Sequence, residues 1–477
     1  MRVLLLILIS VTIINAERIK VYFNAKVDTT GYSGNYAKGL SDFVSILKEK
    51  IDSTRYSIDI CLYNLDLSEI TDKIIEAYRR GVKIRVITDD EHKYDTEIQR
   101  LIYEGIPVID DSFGGNPRSN IMHNKFWIFD FRDSTSMDDD FTMTGSWNVT
   151  YANTYKDANN IVFFQDNGIS RAYTTEFEEM WGSGTEIPDS ANSCFHNRKS
   201  DNTVHEFDID GTKINLFFNP TDTTELKMVR QISECKKEAD FCIYAFSSDT
   251  VSHYMKIQWD VVENFKVQGV FDRTFWDTDW SKARDMRGDS TAEEPWDPPA
   301  PVYSDSVRFP DQSSGLLHSK YMILDPFDDS AVVITGSSNW SLAGFYDNDE
   351  NVVMIHDKKI AQQYYQDFIQ RYKEAQGTGF NSKKNAIKKS NIEQYETLKI
   401  YPIPIKDFIT FDFNLKKERK VDIILYDISG RYISLISSTI LRKGNSKRTF
   451  KLPEGLKKGV YLIKISDFGY KKIEVLR

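Results

Sequence analysis

The chain has 477 residues, with 61 Lys and Arg against 71 Asp and Glu, a formal net charge of −10 at pH 7 and 40% hydrophobic residues. That hydrophobic share excludes a disordered polyanion, and the sign of the charge excludes a protein that grips nucleic acid over its whole surface. Beyond the first 16 residues no run approaches the eighteen or so apolar residues of a spanning helix, and the length suits roughly three domains.

Residues 1–16 read as a secretory signal: Arg2 gives a positive start, Val3 to Ile14 an almost wholly apolar core, and Ala16 a small residue before Glu17. The mature protein is expected to be soluble and exported. A short apolar strand, Ile19–Phe23, comes next. It is followed by a second at Ile58–Tyr63, a helical-period segment at Leu67–Arg80 and a third strand ending at Asp89. The series then restarts: strands at Ile214–Phe218 and Phe241–Phe246, a helical segment at Val251–Phe265, and a strand ending at Asp272. Strands alternating with helices predict crossover units, a largely parallel sheet and the α/β class, twice over.

The restart coincides with a repeated motif. His123-Asn124-Lys125 has Asp130 after it, and His318-Ser319-Lys320 has Asp325 after it. A Gly-Ser-x-Asn element follows each: Gly145, Ser146 and Asn148, then Gly336, Ser337 and Asn339. The surroundings match too, as in Val21-Tyr22-Phe23-Asn24 and Leu216-Phe217-Phe218-Asn219, so the chain holds two copies of one unit. We place them at residues 17–195 and 205–375.

The segment Trp276 to Ser314 lacks either period and carries Trp276, Trp280 and Trp296, which predict an ordered flap near the second motif. Of the four cysteines, Cys61 and Cys242 sit in the repeated strand as small hydrophobes, while Cys194 and Cys235 are candidates for a disulfide. No Cys/His spacing suits a metal. Residues 376–392 read as a polar linker. The last part, 393–477, holds 18 Lys and Arg against 10 Asp and Glu, which leaves the repeats strongly acidic. Its short strands at Phe408–Phe413, Val421–Tyr426, Tyr432–Ser437, Arg448–Leu452, Val460–Ile465 and Lys472–Val475, without helices, predict a small β-sandwich.

On a strand, positions i and i+2 share a face, so imidazole and ammonium project together from each motif. If the halves pack about a pseudo-twofold axis, two His, two Lys and two Asn face one pocket. Ammonium and amide donors suit the non-bridging oxygens of a phosphate and the charge that develops on them. One neutral imidazole can attack phosphorus, and the other, protonated, can donate to the leaving oxygen.

These paired motifs resemble the HKD signature of the phospholipase D superfamily, over about residues 17–375. The resemblance implies duplicated α/β halves, with mixed sheets flanked by helices and one active site between them. It also implies a phosphohistidine intermediate and no metal or other cofactor. By the same resemblance His123 is the nucleophile and His318 the general acid, with Lys125, Lys320, Asn148 and Asn339 on the phosphate. Ser146 and Ser337 belong to the same substrate-binding element, and Asp130 and Asp325 complete the motif as candidate catalytic carboxylates. An acidic residue that orients a histidine usually follows Gly-Ser-x-Asn. The second half offers Glu350, but the first has Asn159 at the equivalent spacing, with Asp157 close by.

The tail resembles the type A C-terminal sorting domain of the type IX secretion system. Tyr401-Pro402-Ile403-Pro404 with Ile405-Lys406-Asp407 resembles its entry motif, with Ile403 where Asn is usual, and Leu425 to Arg431 matches its central turn and Leu456 to Ile465 its penultimate strand. The resemblance implies handling by type IX machinery and a place outside the cell, secreted or on the surface of a Gram-negative bacterium. Both motifs lie in one chain, so a monomer is expected. The expected activity is phospholipase D-type hydrolysis of a phospholipid, at a membrane surface. A secreted endonuclease acting on nucleic acid is the alternative, and an inactive surface-binding protein, motivated by Asn159, is a second.

Overall fold

The computed structural model describes residues 17–114, 120–305 and 315–377, together with 397–476 apart from 402–404, 407, 416, 428–431, 454 and 467–469. The expected signal, most of the expected linker, the end of the flap segment and parts of the entry motif and central turn therefore lie outside the described residues.

The first half runs β1 (Ile19–Phe23), α1 (Phe43–Ser53), β2 (Ser57–Leu62), α2 (Ser68–Arg79), β3 (Lys83–Thr88), α3 (Thr96–Tyr103) and β4 (Val108–Asp110). It continues with β5 (Lys125–Phe129), β6 (Phe141–Gly145), α4 (Tyr151–Tyr155), β7 (Asn160–Phe164) and α5 (Asn167–Trp181). The second half runs β8 (Glu206–Ile209), β9 (Thr212–Asn219), α6 (Thr224–Glu234), β10 (Glu238–Ile243), α7 (Asp249–Val261), β11 (Lys266–Phe271), α8 (Lys282–Met286) and β12 (Val302–Ser304). It closes with β13 (Lys320–Leu324), β14 (Val332–Gly336), α9 (Leu342–Tyr346), β15 (Glu350–His356) and α10 (Lys358–Gly377).

Each half builds one sheet, ordered β1-β7-β6-β5-β2-β3-β4 in the first and β12-β11-β10-β13-β14-β15-β9-β8 in the second. The expectation of a largely parallel sheet is corrected: only β2–β3–β4 and β10–β11–β12 run parallel. Helices cross over between those strands. Beyond the motifs, β5–β6–β7 and β13–β14–β15 are joined by short connections that fold back antiparallel. The α/β class with mixed sheets holds.

Strand β2 explains its own apolar run. It lies between β3 and β5 and all six of its residues are buried, Ile58, Ile60 and Leu62 against α1 and α2 and Cys61 toward the other half. Helix α1 is capped by Asp42, whose carboxylate accepts from Ser45 N at 3.1 Å, and it buries Phe43, Val44, Leu47 and Ile51.

Between the two sheets one core is shared by both halves, with Phe126, Tyr173 and Trp181 of the first packed in the same cluster as Phe218, Tyr321 and Tyr364 of the second. Asn160 Nδ2 donates to Thr335 Oγ1 at 3.1 Å and Tyr364 OH at 2.9 Å. In return, Asn351 Oδ1 accepts from Thr144 Oγ1 at 2.7 Å and Tyr173 OH at 3.1 Å. Each of these residues has its repeat partner in the other bond set, as a pseudo-twofold axis demands.

The C-terminal residues form β16 (Thr397–Tyr401), β17 (Phe408–Leu415), β18 (Arg419–Asp427), β19 (Tyr432–Leu441), β20 (Gly444–Lys451), β21 (Gly459–Ile465) and β22 (Tyr470–Val475). They make two sheets, β16-β17-β20 and β19-β18-β21-β22, around Phe411, Phe413, Ile423, Leu425 and Ile463. The sandwich stands as expected, with β16 added. All four cysteines are free, so the expected Cys194–Cys235 pair is not formed. Cys235 Sγ instead donates to Glu238 O at 3.1 Å.

Candidate active site

The His-x-Lys motifs stand at the entrances of β5 and β13, with each histidine just before the strand and each lysine opening it. Lys125 Nζ donates to His123 O at 2.8 Å and Lys320 Nζ to His318 O at 2.8 Å, so each ammonium folds back beside its own histidine. Asp89 and Asp272, at the ends of β3 and β11, brace the approach: their carboxylates accept from Met122 N at 2.9 Å and Leu317 N at 2.8 Å. Tyr63 and Tyr244 set their rings against His123 and His318, with centroids 5.2 Å and 4.8 Å apart.

The halves trade contacts at the histidines. His123 N donates to Asp349 O at 2.9 Å, and His318 N donates to Ala158 O at 3.0 Å. His123 Nδ1 lies 2.7 Å from Glu350 Oε1. His318 Nδ1 lies 3.0 Å from Ser146 O and 3.1 Å from Asn159 Oδ1. A backbone carbonyl only accepts, so His318 Nδ1 carries the proton and Nε2 is left with its lone pair, 3.5 Å from Lys320 Nζ. Glu350 therefore orients the histidine of the opposite half. Asp157 does not stand in for a carboxylate at His318; it accepts from Asn153 Nδ2 at 2.7 Å and Leu316 N at 2.9 Å.

Gly145 and Gly336 have φ of +151° and +141°, and a Cβ on either would meet a backbone oxygen, Asn160 O or Asn351 O, at 2.2 Å. Glycine is required there because β6 and β14 end against the strands that carry the histidine partners. Ser146 and Ser337, expected on the substrate, lie behind those partners instead. Ser146 Oγ donates to Asn159 Oδ1 at 2.9 Å. Ser337 Oγ accepts from Asn351 N at 3.0 Å and from Asn351 Nδ2 at 3.4 Å. The side-chain oxygens of Asn148 and Asn339 are buried without a hydrogen-bond partner.

Asp130 and Asp325 are corrected as well. Each ends its strand at positive φ, +63° and +48°, and turns its carboxylate to the backbone at the start of the neighbouring strand. Asp130 accepts from Tyr56 N at 2.6 Å and Arg55 N at 3.0 Å, and Asp325 from Lys236 N and Lys237 N, each at 2.8 Å. They sit at the opposite ends of β5 and β13 from the histidines, too committed to move a proton there. The flap segment is ordered in its described part, but Trp296 is buried and Trp276 packs against the core, leaving Trp280 the exposed tryptophan of the three.

The pocket is short of negative charge. Burial lowers His123 and His318 well below the usual imidazole value, and the lysines add to it: Lys125 and Lys320 act on both rings. That each half's lysine is felt at the other half's histidine makes this one site. Burial also brings Lys125 down to about 7 and Lys320 well down, and raises Glu350 to about 8 against the pull of Lys125. An entering anion favours the charged form of all four basic groups at once.

Sequence reasoning did not find Asp89, Asp272 and Asp349 as supports of the site. The repeated Asp at the end of the third strand was the available signal for the first two.

The class defined by this arrangement is a duplicated α/β protein with one buried His–Lys pocket on its pseudo-twofold axis. A model of the family described as "Cardiolipin synthase, PLD-like domain" matches residues 47–181 and 228–372, more than half of the chain, and the chain belongs to that family. Residues 399–476 match a secretion system C-terminal sorting domain of type IX kind, which marks the chain for secretion or the cell surface. Among curated proteins, the mitochondrial cardiolipin hydrolase of Chlamydomonas reinhardtii is 25% identical over 28% of this chain and 54% of that protein. The Drosophila melanogaster protein of the same description is 30% identical over 29% of this chain and 58% of its own length. The chain thus spans little more than half of these relatives. The solved phosphatidylserine synthase of Haemophilus influenzae shares the fold, with a TM-score of 0.50 at 10% identity over 70% of this chain and 84% of that one.

Proposed function

We propose that the protein is an exported phosphodiesterase that hydrolyses phospholipids through a phosphohistidine intermediate. The observation that carries the reading is the unequal pair of histidines in one buried pocket, His123 on the Glu350 carboxyl and His318 on the Asn159 amide.

Lys125, Lys320, Asn148 and Asn339 hold the non-bridging phosphate oxygens. His123 Nε2 attacks phosphorus while its Nδ1 keeps its proton and donates it to the Glu350 carboxylate, whose charge stabilises the ring as it becomes cationic. His318, lacking a carboxylate, is the more acidic imidazolium once the substrate anion offsets the lysines, and it gives its Nε2 proton to the departing alcohol oxygen. Water then enters, His318 takes its proton, the new P–O bond forms and the P–N bond to His123 breaks, leaving a phosphomonoester and restoring both rings.

The phospholipid reading is supported by what the relatives are called and by the rim of the pocket. Helices α4 and α9 begin three residues after Asn148 and Asn339, and they expose Tyr151, Tyr155, Leu342 and Tyr346. Apolar and tyrosine side chains suit a lipid interface, and an acidic chain repels a polyanion.

The test is incubation of the purified protein, in EDTA, with phosphatidylcholine, phosphatidylglycerol, cardiolipin, and single- and double-stranded DNA. Release of headgroup from lipid with EDTA present is the expected result. Cleavage of DNA alone would replace the reading with a nuclease, and inactivity on every substrate would replace it with a binding protein.

A further inference from the structure

We infer that His196, in the segment joining the two halves, is a positioning residue for His123, acting by clamping Asp349. The inference rests on the reading of the pocket proposed above.

The backbone of each catalytic histidine is closed by one residue of the opposite half: Asp349 for His123 and Ala158 for His318. These positions are equivalent in the repeat, each preceding the partner of a histidine ring. Alanine has nothing to anchor. Asp349 is fully buried, and its Oδ1 accepts from His196 N and from Lys199 Nζ, each at 2.8 Å. His196 Nε2 bonds Asp111 Oδ2 at 3.0 Å, while its Nδ1 lies at an ion-pair distance of 3.1 Å from Asp349 Oδ2 without hydrogen-bond geometry.

Asp111 belongs to the first half. Its Oδ1 accepts from Asp90 N at 2.7 Å, next to Asp89, which in turn holds Met122 N immediately before His123. His196 thus spans the two carboxylates that flank the His123 segment, one from each half. Its φ is +54°, in the left-handed region that histidine seldom adopts, and its ring is 1% exposed.

The charges facing the ring balance. Asp349 and Asp111 together outweigh burial and Lys199, so the imidazole is held above its usual value. Lys199 is itself matched by Glu176 at 2.5 Å and Asn219 O at 2.8 Å. Ala158 brings no counterpart to the His318 side. An attacking nitrogen must be held in line with the leaving oxygen to within a fraction of an ångström, whereas a proton donor tolerates more movement, so the clamp stands on the ring that needs it.

The experiment uses the full chain with ¹⁵N-histidine, comparing wild type with His196→Gln, and with Asp349→Asn in case the first variant does not fold. Ring resonances are assigned with His123→Ala and His318→Ala. We expect the His123 signals to move while those of His318 stay. On a nitrophenyl phosphodiester, kcat is expected to fall roughly 10- to 100-fold, with inhibition by inorganic phosphate changed less than about threefold. Movement of both histidines together, movement of neither, or an unchanged kcat would each overturn the assignment. The resonances need no turnover, so an inactive wild type would remove the proposed function and leave this test standing.

Discussion

Glu350 Oε1 reaches 2.7 Å from His123 Nδ1 across the boundary between the halves, while the equivalent bond on the other side is made by the Asn159 amide. Two motifs that are near copies in sequence thereby acquire unequal rings, one backed by a carboxyl and one by a neutral group.

The first consequence is kinetic. His318→Ala is expected to lose turnover of an alkyl phosphodiester by roughly 10³-fold while keeping much more of it on a nitrophenyl ester, whose leaving group needs no acid. His123→Ala should lose both. Equal losses on the two substrates in His318→Ala would mean that the roles are misassigned.

The pH profile follows from Lys125 and Glu350, the groups near neutrality that the proposed mechanism needs charged. Lys125, lowered by burial to about 7, loses its charge as pH rises, and phosphate is held less well. Glu350, raised by burial to about 8, takes up a proton as pH falls, and its charge is then lost to the His123 ring it would stabilise. A bell in kcat/KM with its maximum between about 7 and about 8 is expected. Glu350→Gln should flatten the acid limb and lower kcat by roughly 10²-fold; a flat profile in the wild type would refute both assignments.

Stability offers an independent check on the repeat. In the first half the buried Asp59 is gripped by Arg85 through two bonds of 2.7 Å. In the second half the position facing Asp240 in the same register is Gln268, and neither Asp240 oxygen has a hydrogen-bond partner. Burial raises the Asp240 carboxyl well above its usual value. The folded state therefore holds a proton that the unfolded state gives up, and stability falls as pH rises above about 4. Asp240→Asn should raise Tm at pH 8, by about 1–3 kcal/mol of stability, and leave it nearly unchanged at pH 4. Arg85→Gln, which takes the two-bond partner from Asp59 and leaves it Arg132 at 3.2 Å, should cost about 3 kcal/mol.

The glycines before the serines make a fourth case. Gly145→Ala brings a Cβ to 2.2 Å from Asn160 O, backbone that cannot yield without disturbing Asn159. Loss of activity together with a lower Tm is expected, and an unaltered Tm by thermal denaturation would show that β6 ends with room to spare.

The duplication was legible because its markers are rare residues in fixed order: His123 with Lys125 and His318 with Lys320, each followed by Gly-Ser-x-Asn. The exchange of partners was not, because spacing along the chain places Glu350 after Asn339 and says nothing of which histidine it faces. Asp130 and Asp325 were misread for a related reason. Seven positions beyond the histidine on an extended strand is its far end, so their proximity in sequence is distance in space. The parallel arrangement was overestimated because the helices that signal crossovers are confined to half of each sheet. The disulfide expected between Cys194 and Cys235 failed on location: Cys194 follows α5 in the connector, and Cys235 caps α6 beneath Asp325.

The reciprocal bonds of Asn160 and Asn351 set the unit in which this molecule works. Neither half owns a finished histidine, since the ring comes from one side and its support from the other. On the proposed mechanism the chain therefore counts as a single reactor whose two motifs share one turnover, and it carries one phosphatidyl group at a time, although the sequence writes the motif twice.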